Sequence, residues 1–183
     1  YEEPNLKMMG IEAVKSSTPA PCRTMIKNGL KIMMNGTEEE VIDYIDECRT
    51  KFKTLPPEEI AFPRTVSNVK KYHSRTDIYS KGTPIHARGA LLFNFYIKKN
   101  KLDKKYSLIG NGEKIKFIYL KKPNIIQENV VSFIQDFPTE LNLDKYIDYD
   151  LQFEKSFLEP LKAILDAIGW NVEKTVNLEL FFT

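Results

Sequence analysis

The sequence predicts an α+β fold, mainly helical, with one small antiparallel β-hairpin or sheet element. Three observations carry this. Apolar residues recur at helical spacing in four stretches, opening near Thr18, Thr37, Pro84 and Leu143. Between the third and fourth, Lys114 to Leu120 alternates outward lysines with inward Ile115, Phe117 and Ile118, the side-chain period of a strand. The 183 residues, 42% of them hydrophobic, suffice for one globular domain with a real core, or a domain plus a tail. No apolar run is long enough to span a bilayer and no signal peptide opens the chain, so no membrane partner is expected.

Taken in order, Lys7 to Val14 is a strand-like run through Gly10 that breaks into Lys15-Ser16-Ser17-Thr18-Pro19. Thr18 fits an N-cap and Pro19 the first helical position, because proline lacks the N–H that would be unpaired there. Unpaired amides and the positive end of the helix dipole then face Lys15, Ser16 and Ser17, a setting that suits phosphate. The alternative is an ordinary cap on a solvated loop. Cys22, Met25, Ile26, Leu30 and Met33 line the first helix; Asn35-Gly36 breaks it; Thr37 and Glu40 form a capping box for a second helix bearing Val41, Ile45, Cys48 and Phe52. Arg23, Lys27 and Lys31 against Glu39, Asp43, Asp46 and Glu47 make this antiparallel pair a packing scaffold. Cys22 and Cys48 are expected as buried free thiols of a reducing compartment, with a disulfide as the alternative.

Leu55-Pro56-Pro57 ends the pair. Glu58 to Phe62 reads as a short strand, Ser67 to Tyr72 as a helical turn ending in Lys70-Lys71-Tyr72, and His73-Ser74-Arg75 as a polar loop. Lys70, Lys71 and Arg75 are generic phosphate contacts or solvated surface. Lys81 to Gly89 is the second anion-binding candidate: Thr83 and Pro84 fit N-cap and first helical position, Gly82 permits close backbone approach, and Lys81, His86 and Arg88 bracket the first turn. Leu92, Phe93, Tyr96 and Ile97 continue that helix as core. After the basic loop Lys98 to Lys105, the run Tyr106 to Ile109, a Gly-Asn-Gly turn and Lys114 to Leu120 read as a hairpin, and Ile125 to Ile134 as a further strand. Leu143 onward returns to helix through Phe153, Phe157, Leu158, Leu161, Leu165 and Ile168, ending near Gly169-Trp170.

Charge is unevenly spread. Arg64 to Lys105 holds eleven Lys or Arg against Asp77 and Asp103, a balance of +9, which leaves sixteen basic and twenty-three acidic residues, −7, elsewhere. Such a two-sided molecule is expected to orient on a polyanion, with a scattered set of solvated lysines as the alternative.

YEEPNLKMMGIEAVKSSTP, at the start of the chain, resembles the palm-to-thumb junction of family B DNA polymerases of the T-even phage type, and thinner similarity continues through SKGTPIHARGALLFNFYI to the C-terminus. The resemblance implies a junction over 1–14, a duplex-binding thumb over 15–175 and a sliding-clamp-binding tail over 176–183. A chain that opens on Tyr1 within a strand-like run is, on this reading, expected as a fragment of a longer polymerase or of a split gene. It implies DNA contacts by Lys7, Lys15, Ser16, Ser17 and Thr18, and by the segment Lys81, Gly82, Thr83, His86 and Arg88, similar to the family's Pro-His thumb segment except that Ile85 separates Pro84 from His86. Lys70-Lys71-Tyr72 is not the family's primer-binding Lys-Tyr motif, which precedes the junction. The family's Asp-Thr-Asp element also precedes it, so Asp148 and Asp150 of YIDYD are read as capping and surface residues. No catalytic residue and no cofactor are expected in this stretch; magnesium belongs to the parent enzyme. Leu178, Leu180, Phe181 and Phe182 are similar to short clamp-binding peptides, with a terminal strand packed on its own domain as the alternative. The implied partners are primer–template duplex, a sliding clamp, and the palm and finger domains or a split-gene subunit, in the cytoplasm of a phage-infected bacterium. A free-standing DNA-binding or clamp-interacting accessory protein is the alternative.

Overall fold

The computed structural model describes residues 15–167. The chain divides into two compact units, one formed by residues 1–60 with 149–183, the other by the intervening Ala61–Asp148. Ala61–Asp148 is thus inserted within the first unit.

In the first unit, α1 (Ala20–Asn35) buries Cys22, Met25, Ile26, Leu30 and Met33, the expected stripe. Its N-cap is Pro19, whose carbonyl accepts the Arg23 amide at 3.1 Å. Thr18 is therefore one residue too early to cap. The reason is that proline's fixed φ, here −55°, suits both sides of a helix start, and the extended ψ of 140° puts Pro19 outside. Helix α2 (Glu38–Phe52) begins as expected: the Thr37 hydroxyl accepts the Glu40 amide at 3.2 Å, with three glutamates in the first turn. It packs on α1 where the Tyr44 hydroxyl donates to the Met25 carbonyl at 2.8 Å. Cys22 and Cys48 are free and buried.

Pro57–Ile60 forms a one-turn helix, α3, where a strand from Glu58 is expected. A proline at the start followed by Glu58 and Glu59 in the first turn favours helix locally, and the strand begins only at Phe62. The unit closes with α5 (Tyr149–Phe153), a π-helical turn over Glu154–Leu158 and α6 (Glu159–Ala167). Pro160 has no N–H to give Ser156; the π turn lets the Glu159 amide reach the Glu154 carbonyl instead. Phe157 stacks on Phe153 at 4.9 Å, and Phe153 meets Phe52 edge-on at 5.2 Å. A buried polar chain runs beside them: the Cys22 thiol donates to Ser156 Oγ, Ser156 Oγ to the Gln152 carbonyl, and Gln152 Nε2 to the Ile60 carbonyl at 2.7 Å.

In the inserted unit, β1 (Phe62–Thr65), β2 (Lys114–Tyr119) and β3 (Val130–Phe133) form an antiparallel sheet in that order, with Phe62 opposite Phe117 and Phe117 opposite Ser132. Helix α4 (Ile85–Lys99) lies on β3. Gly89 permits the contact, since a Cβ there would meet Ser132 Oγ at 2.3 Å and its amide nitrogen at 2.9 Å. Phe62, Leu92, Phe117 and Val130 form a core cluster beneath the helix.

Three expectations for this unit are corrected. Tyr106 to Ile109 is not a strand, because the Asn94 side chain takes both the amide (2.7 Å) and the carbonyl (2.9 Å) of Ile109. The Gly112 amide bonds the Val66 carbonyl, so β2 pairs upstream with β1. The strand expected from Ile125 starts at Val130, because Asn124 holds the preceding loop through the Lys121 and Glu128 carbonyls and the Ile126 amide. Helix does not resume at Leu143: Asp144–Tyr146 is 3₁₀, Ile147 bridges to Leu120, and helix begins at Tyr149. No helix among the described residues is long and apolar enough to cross a membrane.

Candidate nucleic-acid interface

Of the residues singled out in the sequence, Lys7 and the tail residues Leu178, Leu180, Phe181 and Phe182 lie outside the described residues. Lys15 and Ser16 are exposed ahead of α1, and the Thr18 amide turns back onto the Lys15 carbonyl at 3.0 Å. Thr18 supplies no side-chain cap, so its hydroxyl does not compete for the first amides of the helix.

The remaining candidates share the inserted unit. Lys70 and Lys71 are exposed on a 3₁₀ turn, Val69–Tyr72, which Asn68 enters in the left-handed conformation. Arg75 and Lys81 are exposed on the following loop. Gly82 has φ +84°, with open space where a Cβ would stand, so the conformation requires the glycine. The second Thr-Pro pair repeats the offset of the first: Pro84 is the N-cap, its carbonyl accepting the Arg88 amide at 2.8 Å, and the Thr83 hydroxyl donates back to Ser80 at 2.6 Å.

Arg88 is not a free cation. Its guanidinium reaches the Glu128 carboxylate at 3.3 Å and lies over the Tyr79 ring, 5.7 Å from its centre, while the Tyr79 hydroxyl donates to the same carboxylate at 2.7 Å. A phosphate at Arg88 competes with Glu128 for the guanidinium or shares it. His86 is half-buried, and that burial, with the Arg64 charge after it, holds the imidazole below its ordinary 6.5. The lowered ring is a poorer cation than an ordinary histidine and can still hydrogen-bond as the neutral imidazole. Arg64 itself lies 5.3 Å from the Phe117 ring centre and 5.8 Å from that of Phe62, donating to the Pro63 carbonyl at 2.8 Å. In the sequence Arg64 is only the start of the basic segment. The missed signal is its strand alternation with Phe62.

Of the two aspartates of YIDYD, Asp150 is exposed and pairs with Lys53 at 3.3 Å, while Asp148 is half-buried just before α5. Among the described residues no group of three or more His, Cys, Asp or Glu is placed to hold a metal.

No family model matches the chain. It is 25% identical over 186 residues, the whole chain, to the DNA-directed DNA polymerase of Enterobacteria phage T4, and 31% identical over 182 residues, 97% of the chain, to that of Escherichia phage RB69. In each case it spans 20% of the relative's length. Among solved structures, the family B DNA polymerase of the hyperthermophilic archaeon Pyrobaculum calidifontis matches with a TM-score of 0.52 at 15% identity, covering 81% of this chain and 18% of that one, a likeness of fold. The chain is thus similar, essentially end to end, to about one fifth of two phage DNA-directed DNA polymerases, and its fold is like that of a stretch of an archaeal family B DNA polymerase.

Proposed function

We propose that the chain is the C-terminal thumb segment of a family B DNA polymerase, gripping primer–template duplex through backbone phosphates and tethering the enzyme to a sliding clamp through Val176 to Thr183. The observation that carries this reading is the end-to-end similarity to two phage DNA-directed DNA polymerases, joined to the charge of the inserted unit. That unit holds sixteen Lys or Arg and eight Asp or Glu, +8, and the remainder holds eleven and seventeen, −6. Exposed cations neutralise phosphates without reading sequence, which suits a domain that must follow the duplex as it lengthens. Nucleotidyl transfer, with its magnesium, is the work of the palm and fingers. An apolar tail peptide in a clamp pocket raises the local concentration of the enzyme on DNA.

Fluorescence anisotropy of the 183-residue chain on a short duplex tests the reading. With Lys15, Lys70 and Lys81 each neutralising one phosphate, log affinity falls against log salt with a slope of about −3. Absent binding at low salt, or a slope near zero, overturns the grip. Removing Val176 to Thr183 abolishes binding to the cognate clamp and spares duplex binding; equal clamp affinities overturn the tether.

A further inference from the structure

Helix α4 carries one large aromatic on its outer side that the core does not use. Phe95 is 42% exposed, while Leu91, Leu92, Phe93 and Ile97 around it are buried. It lines an open groove of about 910 Å³, with Arg75 and His73 contributed by the loop and Lys98 and Lys99 by the helix. That volume is at the upper end of what holds a drug-sized ligand. The Lys99 ammonium lies 6.0 Å from the Phe95 ring centre and 5.7 Å from that of Tyr96, whose ring meets Phe95 edge-on at 5.0 Å. Asp77 is the acid in the lining, and it accepts the Thr76 hydroxyl.

An exposed ring edged by three cations fits a ligand that is flat and apolar on one part and anionic on another. A peptide of acidic residues satisfies the cations and leaves the ring unmatched; a stacked duplex satisfies the cations and hides its base faces. We propose that this groove binds single-stranded DNA, with one unpaired base stacked on Phe95 and the flanking phosphates held by Arg75, Lys98 and Lys99. Stacking accepts any base, because every base has a π-face, and the cations follow the backbone. The proposal rests on reading the inserted unit as facing nucleic acid and adds to it a second, single-strand subsite.

The test compares the wild-type chain with Phe95→Ala and Phe95→Tyr on three probes: a short oligothymidylate, an abasic strand of equal charge and a blunt duplex. Phe95→Ala is expected to weaken oligothymidylate at least about fivefold and Phe95→Tyr to bind like wild type, with abasic and duplex affinities unchanged in both. No loss on oligothymidylate, or an equal loss on the abasic strand, overturns the proposal. A Phe95-dependent affinity for poly-glutamate equal to that for oligothymidylate overturns it in favour of an acidic protein partner. Because Phe95 is exposed, unchanged melting of both variants checks that the fold is intact. Failure of blunt-duplex binding alone counts against the thumb reading and leaves the stacking subsite standing.

Discussion

Residues 61–148 carry a charge of +8 and the rest of the chain −6, while among the described residues each unit buries two polar side chains, Gln152 and Ser156 in the helical unit and Asn124 and Ser132 in the inserted one. In the helical unit the Tyr44 hydroxyl is also spent on the Met25 carbonyl. In the inserted unit, asparagines do the structural work, Asn94 on Ile109 and Asn124 on its loop, leaving Lys70, Lys71, Arg75 and Lys81 to solvent. The contrast separates a unit that holds shape from one that presents charge.

The largest effect expected from breaking that contrast is on stability. Phe157→Ala empties a fully buried site beside Phe153 and is expected to cost about 4 kcal/mol in denaturant unfolding, leaving the salt slope of DNA binding as it was. A changed slope in the folded variant would mean that the packing of the helical unit positions DNA-binding cations beyond Lys15. Gly89→Ala drives a methyl into Ser132 and is expected to cost roughly 2 kcal/mol, with DNA affinity falling as the inserted unit loosens. Glu128→Gln should sharpen the contrast: freeing Arg88 for one more phosphate steepens the salt slope by about 0.9, and an unchanged slope means Arg88 faces no phosphate.

The smallest expected effect is an alkaline pH dependence to which the buried thiol of the helical unit contributes. Burial pushes the Cys22 thiol from 9.0 up to about 11. The unfolded chain releases this proton first, so the contribution is complete below pH 9 and is lost as pH rises from 9 toward 11. Burial raises Tyr44 in the same direction. Cys22→Ala should therefore flatten the alkaline decline without removing it, as read by unfolding at a series of pH values.

The helix pair was legible because its signals are local: the apolar period of α1, and Thr37 capping Glu40. Both Thr-Pro starts were displaced by one residue because proline's φ fits either side of the boundary. The hairpin failed for a different reason. The partners of β2 are β1, some fifty residues upstream, and β3, and no local spacing announces that Asn94 claims Ile109. Arg88 looked like a free cation for the same reason, since Glu128 lies forty residues away in sequence. The π turn left a visible trace in Pro160, a proline inside a helical period.

The insertion bears on the order in which the chain acquires structure. The helical unit is discontinuous, and Gln152 must find Ile60 across the stretch 61–148. Closing so long a flexible loop costs about 4 kcal/mol by length alone. The folded sheet removes much of that cost: Phe62 pairs with Phe117, and the Asp148 amide bonds the Tyr119 carbonyl, so both ends of the insertion sit on the same end of β2. During synthesis the contiguous insertion is complete before Tyr149 emerges, and folding first it returns the chain to where it left. The basic unit is in this sense a template for finishing the acidic one.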